Sequence, residues 1–334
     1  MGRLARGLFG ISPEETSFAR RGFRCDEAEI RHWLEQVGTA FVDGYLLGLE
    51  EDRPEPLAAR LEREVDASHR GFAFEGAGMA LAILDAVAPW RRDRLRRFVA
   101  GPANDHIYLV YCGVGFALGR LPLSPARTLA RLDPVLGWLA LDGYGFHQGF
   151  FHGPRAVDRQ EVPRRLAGYA RRAFDHGLGR SLWFVEGASV ERLAATIGAF
   201  AEARQSDLWS GVGLAATYAG GRDREGLAAL RQAAGEHRDW LAQGSSFAAE
   251  ARRRGGNPTP HSALACQVLC GRSFEASAQV AEEAGRDLPG DGAVPAYEVW
   301  RRRVVERLAA RQDHPGASDG RKDTVDYRES SATA

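Results

Sequence analysis

The chain has too little of several things to belong to many common classes of protein. Four cysteines (Cys25, Cys112, Cys266 and Cys270) among 334 residues make no disulfide scaffold, and no CxxC pair is present for structural zinc. Net charge is missing too: 44 basic and 44 acidic side chains cancel, which gives no electrostatic case for DNA or RNA as the partner. No apolar run reaches the roughly 20 residues of a membrane span. The longest, around 107–118, falls short, and the N-terminal MGRLARGLFGISPEE has too short an apolar centre for a secretory signal. HExxH and paired ExxH motifs are absent, so no metal site is expected. A reducing cytoplasm is the expected setting. Peripheral contact with a membrane stays open through the basic runs at 91–97, 252–254 and 301–303, whose plainer reading is a solvated helix face.

Glycine, by contrast, is plentiful, and it is periodic. The core of residues 106–121, HIYLVYCGVGFALGRL, recurs in degenerate form along the chain. Anchored on one glycine per copy, the repeats are Asp43-Gly44, Glu75-Gly76, Cys112-Gly113, Gln148-Gly149, His176-Gly177, Ser210-Gly211, Gln243-Gly244 and Cys270-Gly271, spaced by 32, 37, 36, 28, 34, 33 and 27 residues. The residue four after the glycine is small in seven of the eight copies, so two small residues share one helix face and admit a neighbouring backbone. Such periods predict an all-α fold of helical-hairpin repeats stacked into a curved α-solenoid or toroid. One domain is expected over 1–311, with a cap segment at 1–25, a cap helix within 285–311 and a polar, disordered tail over 312–334.

Apolar residues at three-to-four spacing predict a long helix over 26–50, a pair over 57–65 and 72–87, and a short basic helix over 90–99. A helix over 127–141 should kink or break at Pro134. The segment DGYGFHQGFFHGP at 142–154 is a poor regular helix by propensity and is expected to be distorted or broken. Helical pattern resumes over 162–173, 190–200, 207–218, 226–235, 240–252, 261–284 and 297–311.

No repeat has a large aliphatic side chain before its anchor glycine. In a stack held in register, those positions look in a related direction, either to line a groove or to tie adjacent hairpins by hydrogen bonds. Glu75, set among aromatic residues, must be paired, hydrated or raised in pKa, with Arg120 and Arg180 as candidate partners. Gln148 with His152, and His176 with Arg180, sit at i and i+4 on one helix face. His147 and His152, five apart, are poorly spaced as metal ligands. The candidate proton-transfer and positioning groups are therefore Glu75, His147, His152, His176 and Arg180. Candidate ligand-lining residues are Phe74, Cys112, Phe116, Tyr144, Phe146, Gln148, Trp183, Trp209, Ser210 and Gln243. Cys266 and Cys270 read as small core residues. GxG at 113–115, 177–179 and 211–213 lies inside helical pattern with no preceding strand, which excludes a nucleotide loop.

Several blocks resemble a bacterial family encoded beside enediyne polyketide synthases, the UnbL-type proteins of enediyne gene cassettes. They are LFGISP at 8–13, FARRGF at 18–23, GFAFEG at 71–76, LDGYGFH at 141–147, GLGRSLWF at 177–184 and DLWSGVGL at 207–214. The likeness covers nearly all of residues 1–310. It implies a cytoplasmic protein acting on, or carrying, the linear polyene released by the synthase, with other cassette proteins as further partners. No cofactor follows from it. The alternative is a non-catalytic helical-repeat scaffold that holds partner enzymes and shields the intermediate.

Overall fold

Apolar side chains recurring every three to four residues bury one stripe of each segment, and every regular element among the described residues is a helix. The computed structural model describes residues 2–88, 90, 93–290 and 292–310. Eight helices form a row in chain order: α1 (Ala28–Glu50), α2 (Arg70–Val87), α3 (Ile107–Arg120), α4 (Leu139–Phe151), α5 (Tyr169–Val185), α6 (Glu202–Tyr218), α7 (Arg238–Arg254) and α8 (Phe274–Ala284). Each packs on the next, and α9 (Ala296–Ala309) lies against α7 and α8. Shorter helices, among them Pro54–Glu64, Val190–Gly198 and Arg224–Ala233, occupy the connections. Side chains of Ser189, Asp223 and Ser273 cap helix N-termini by accepting backbone N–H groups.

Paired glycines set the spacing of the row. A Cβ on Gly113 of α3 would overlap the Glu75 carbonyl oxygen of α2, while one on Gly115 would overlap the Ala140 carbonyl oxygen of α4. Gly143 and Gly145 of α4 meet Cys112 of α3 and Phe174 of α5 in the same way, and the pattern repeats at Gly177/Gly179 and Gly211/Gly213. Residues two apart lie roughly 200° apart around a helix, so one glycine serves the preceding helix and the other the following one. Small residues at i and i+2 therefore make most of the row, and the expected i and i+4 pair is seen in the first copy, where Gly44 and Gly48 both meet α2.

Two anchors change with this register. The fourth copy is Asp142-Gly143, not Gln148-Gly149, because Gly143 meets the previous helix backbone whereas Gly149 faces the Ser181 side chain. The eighth, Cys270-Gly271, is no helix contact: Gly271 has φ +65° and ends a π turn over Cys266–Cys270. The pattern over 261–284 accordingly splits into Pro260–Ala265, that turn and α8. The expected break inside 142–154 is also displaced. α4 runs unbroken to Phe151, because its glycines are used for tight packing, and gives way to a π turn at Pro154–Asp158. Upstream, the helix expected over 127–141 is a short helix Pro125–Leu129, then a 3-10 turn Leu136–Trp138 leading into α4. Helix α5 begins at Tyr169, past the start expected at 162.

The row curls until distant helices meet. Trp33 Nε1 of α1 donates to the Ala219 carbonyl after α6 at 2.7 Å, and Phe72 of α2 meets Tyr218 of α6 edge-on at 5.1 Å. Arg252 of α7 donates to the Ser68 carbonyl before α2 at 3.2 Å. One hydrophobic cluster extends from Ala5 to Leu308. The basic runs are not simply solvated: Arg94, Arg252 and Arg301 are buried, held by carboxylates or backbone carbonyls. Arg91, Arg92 and the tail at 312–334 lie outside the described residues. No helix among the described residues is long and apolar enough to cross a membrane.

Candidate functional site

Because the glycine pairs hold consecutive helices in register, the residues that precede the first glycine come together across them. Glu75 of α2, Cys112 of α3, Asp142 of α4 and His176 of α5 form one buried cluster, with Arg180 a turn beyond His176. Arg180 Nη1 donates to Asp142 Oδ1 and sits 3.2 Å from Cys112 Sγ, while Nη2 donates to Glu75 Oε1 at 3.2 Å. His176 Nδ1 bonds Asp142 Oδ2. An ionised carboxylate only accepts, so Nδ1 carries the hydrogen and Nε2 the lone pair. Nε2 is buried without a hydrogen-bond partner. The Arg180 guanidinium lies over the Phe146 ring, 5.2 Å from its centroid.

The two carboxylates share one arginine but titrate apart. Burial pushes Glu75 up to about 7, which Arg180 only partly opposes. Burial also raises Asp142, but Arg180 and His176 outweigh it and hold that carboxyl at about 2. Cys112 is pushed well up by burial, and His176 is lowered by burial against the pull of Asp142. Near neutral pH the cluster therefore holds a charged Asp142–Arg180 pair, a neutral imidazole, a thiol and a Glu75 poised to gain or lose a proton.

The stripe continues as a second buried network. Ser210 Oγ of α6 donates to Gln243 Oε1 of α7 at 2.6 Å. Arg301 of α9 reaches Asp207 at 2.7 Å and Glu298 at 3.4 Å, and Arg172 of α5 bonds both of those carboxylates. Asp43, the first polar residue of the series, is exposed and joins neither network.

Two internal cavities meet at the first cluster. One, of about 40 Å³, is walled by Tyr108, Leu109, Cys112, Leu139, Arg180, Leu214, Tyr218, Phe247, Glu250, Ala251, Tyr297 and Trp300. The other, of about 60 Å³, lies between α1 and α6 and is walled mainly by Phe41, Phe72, Phe116, Phe146, Phe150, Phe151 and Phe184, with Glu75 and Arg180 as its charged groups. Leu109, Arg180, Leu214 and Tyr218 belong to both walls, so the two apolar cavities lie side by side with these four side chains between them.

Of the residues singled out in the sequence, Glu75, Cys112, Phe116, Phe146 and Arg180 line these cavities, and His176 supports them from behind through Asp142. Ser210 and Gln243 tie α6 to α7, so the stripe both binds helices together and borders a cavity. The partner of Glu75 is Arg180; Arg120 ends α3 at an exposed position. Phe74 stacks on His106 with ring centroids 4.1 Å apart, Trp183 donates to the Gly220 carbonyl at 2.9 Å and Tyr144 accepts from Arg165 at 3.0 Å, all away from the two cavities. Trp209 is core and lines neither cavity. His147, Gln148 and His152 are removed from the cluster: Gln148 pairs with His147, and both histidines face a separate outer cavity. Asp142, the centre of the cluster, was missed as a site residue, as were Leu109, Leu214 and Tyr218. Asp142 stands before a GxG at 143–145 matching that at 113–115, and aligning on the doublet rather than on single glycines exposes it.

A serial stack of helices, held by glycine doublets and curled round two cavities beside a buried charged cluster, is the class these features define. The chain belongs to the family described as "Protein of unknown function (DUF1702)", which matches residues 1–308. No curated protein and no solved structure matches it.

Proposed function

We propose that this protein binds an elongated, flat, apolar molecule, such as the linear polyene of enediyne biosynthesis, in a passage that joins the two cavities, its two arms, between α1 and α7, and holds it against Glu75 and Arg180 during its conversion. The observation that carries the reading is the pair of arms sharing Leu109, Arg180, Leu214 and Tyr218, walled almost wholly by rings and aliphatic side chains. A conjugated chain is thin and polarisable, and stacked or edge-on rings suit its faces. In this reading the helical row is a curved repeat array closed round its ligand. Arg180 supplies a fixed positive charge beside the chain, and Glu75 exchanges a proton with it near neutral pH.

Both arms are smaller than the roughly 300–1,000 Å³ of usual ligand pockets. Binding therefore involves rotation of Leu214 and of the wall rings, and the loaded passage is wider. The scaffold alternative has less support. The large hydrophobic side chains exposed among the described residues are Leu8, Val87, Trp90 and Val294, a small apolar surface for partner enzymes. A cytoplasmic setting and contact with other cassette proteins remain part of the proposal.

The test is retention. Purified protein is incubated with the polyene released by an enediyne polyketide synthase, separated from free ligand and scanned for polyene absorbance. Stoichiometric co-elution with a shifted spectrum supports the channel; polyene that elutes wholly apart from the protein contradicts it.

A further inference from the structure

A third cavity adjoins the second, towards the surface. Phe41, Phe116 and Phe151, which wall the second arm, also wall this outer cavity of about 290 Å³, whose other sides include Arg21, Gly119, Arg120, His147 and His152. The rings form a gate between the two spaces. Phe41 and Phe116 lie with centroids 4.5 Å apart, and Phe151 stands 4.8 Å from the His147 ring.

This outer cavity is basic, and no carboxylate lines it. Arg120 is exposed at the end of α3 and makes no ion pair or hydrogen bond among the described residues. Arg21 is held by Glu15 and lies over the Phe151 ring at 5.2 Å, yet its Nε is buried without a partner. His147 is driven down to about 3 by burial, then by His152 and Arg120, so it is neutral there and contributes a polar ring rather than charge. Fixed positive charge at the mouth of an apolar passage suits a molecule with an apolar chain and an anionic end.

We propose that the ligand is amphipathic: its chain enters the passage through the Phe41–Phe116–Phe151 gate, and a terminal carboxylate sits in the outer cavity against Arg120 and Arg21. This rests on the channel reading above and adds the chemistry of one end of the ligand. Arg120 binds as a positioning cation, and selection between charged and neutral ends of the same chain falls to it.

The probes are cis-parinaric acid, a conjugated tetraene fatty acid that fluoresces in apolar sites, and its methyl ester, titrated into wild type, Arg120→Gln and Arg120→Lys. Arg120 is exposed, so both variants are expected to keep the wild-type melting temperature. The acid is expected to bind wild type about threefold to fivefold tighter than the ester, as a solvent-exposed ion pair allows. Arg120→Gln should bring the acid down to the level of the ester and leave the ester unchanged, while Arg120→Lys keeps most of the preference. Equal binding of acid and ester to wild type, or an equal loss of both in Arg120→Gln, overturns the carboxylate assignment but leaves the channel standing. If neither probe binds, both readings fall.

Discussion

Glu75 and Asp142 show how one arginine can serve two carboxylates unequally. Asp142 receives Arg180 Nη1 and His176 Nδ1, while Glu75 receives only Arg180 Nη2 at 3.2 Å against the full cost of burial. A carboxyl raised from 4.5 to about 7 in the folded chain binds its proton more tightly there than when unfolded. Its contribution to stability is thus complete below pH ~4.5 and lost as pH rises through ~7, up to about 3 kcal/mol. Glu75→Gln should remove that slope, so the variant gains on wild type in denaturant melts between pH 5 and 8; parallel pH profiles would contradict the assignment. Arg180→Met leaves Asp142 in the core without its cationic partner, held only by His176, and should lower stability by roughly 3–5 kcal/mol. Chemical denaturation at pH 7 measures it. Asp142 works in the opposite direction to Glu75: its stabilisation is present above pH ~4 and is lost as pH falls towards ~2.

Among the helices, the glycine doublets decide what the row tolerates. Gly113→Val puts branched carbon atoms where α3 meets the Glu75 carbonyl, and the obstacle is backbone that cannot swing aside. A loss of at least 1–3 kcal/mol, in the range of overpacked cores, is expected on thermal melting. Gly198→Ala is the counterpart: nothing lies near its Cβ, so the change should be neutral or gain up to about 1 kcal/mol. The period of the repeat was legible in the sequence because it reflects this backbone contact, which only glycine satisfies. The exact register was not. In the segment at 142–154, glycine carries opposite meanings: low helix propensity argues for a break, while tertiary packing at Gly143 and Gly145 favours a continuous helix, and packing prevailed until His152. Gly149 lies six residues past Gly143, so the polar residue before it, Gln148, pairs with His147 at the outer cavity, whereas Asp142 lies in the buried cluster. Arg301 was hidden for a related reason: within a run of arginines, only contact with Asp207 and Glu298 distinguishes the buried one from its solvated neighbours.

At the level of the whole molecule, the curl of the row turns a one-dimensional repeat into an enclosure. Trp33, Phe72 and Arg252 join helices far apart in the chain, and α9 adds Tyr297 and Trp300 to one wall while Arg301 fastens it to α6. Which residues meet across that interior depends on the curvature, which no local period encodes; Leu109, Leu214 and Tyr218 were accordingly ordinary apolar positions until the helices closed round them. Leu214 touches both arms, so enlarging it tests the passage as a unit. The most direct measurement is fluorescence titration with diphenylhexatriene, an apolar conjugated probe dark in water, against wild type and Leu214→Trp, with circular dichroism to verify folding. Saturable binding by wild type and at least about a tenfold loss in the folded variant is the predicted result. Equal emission from both proteins, or none from wild type, would contradict a ligand passage at the centre of this fold.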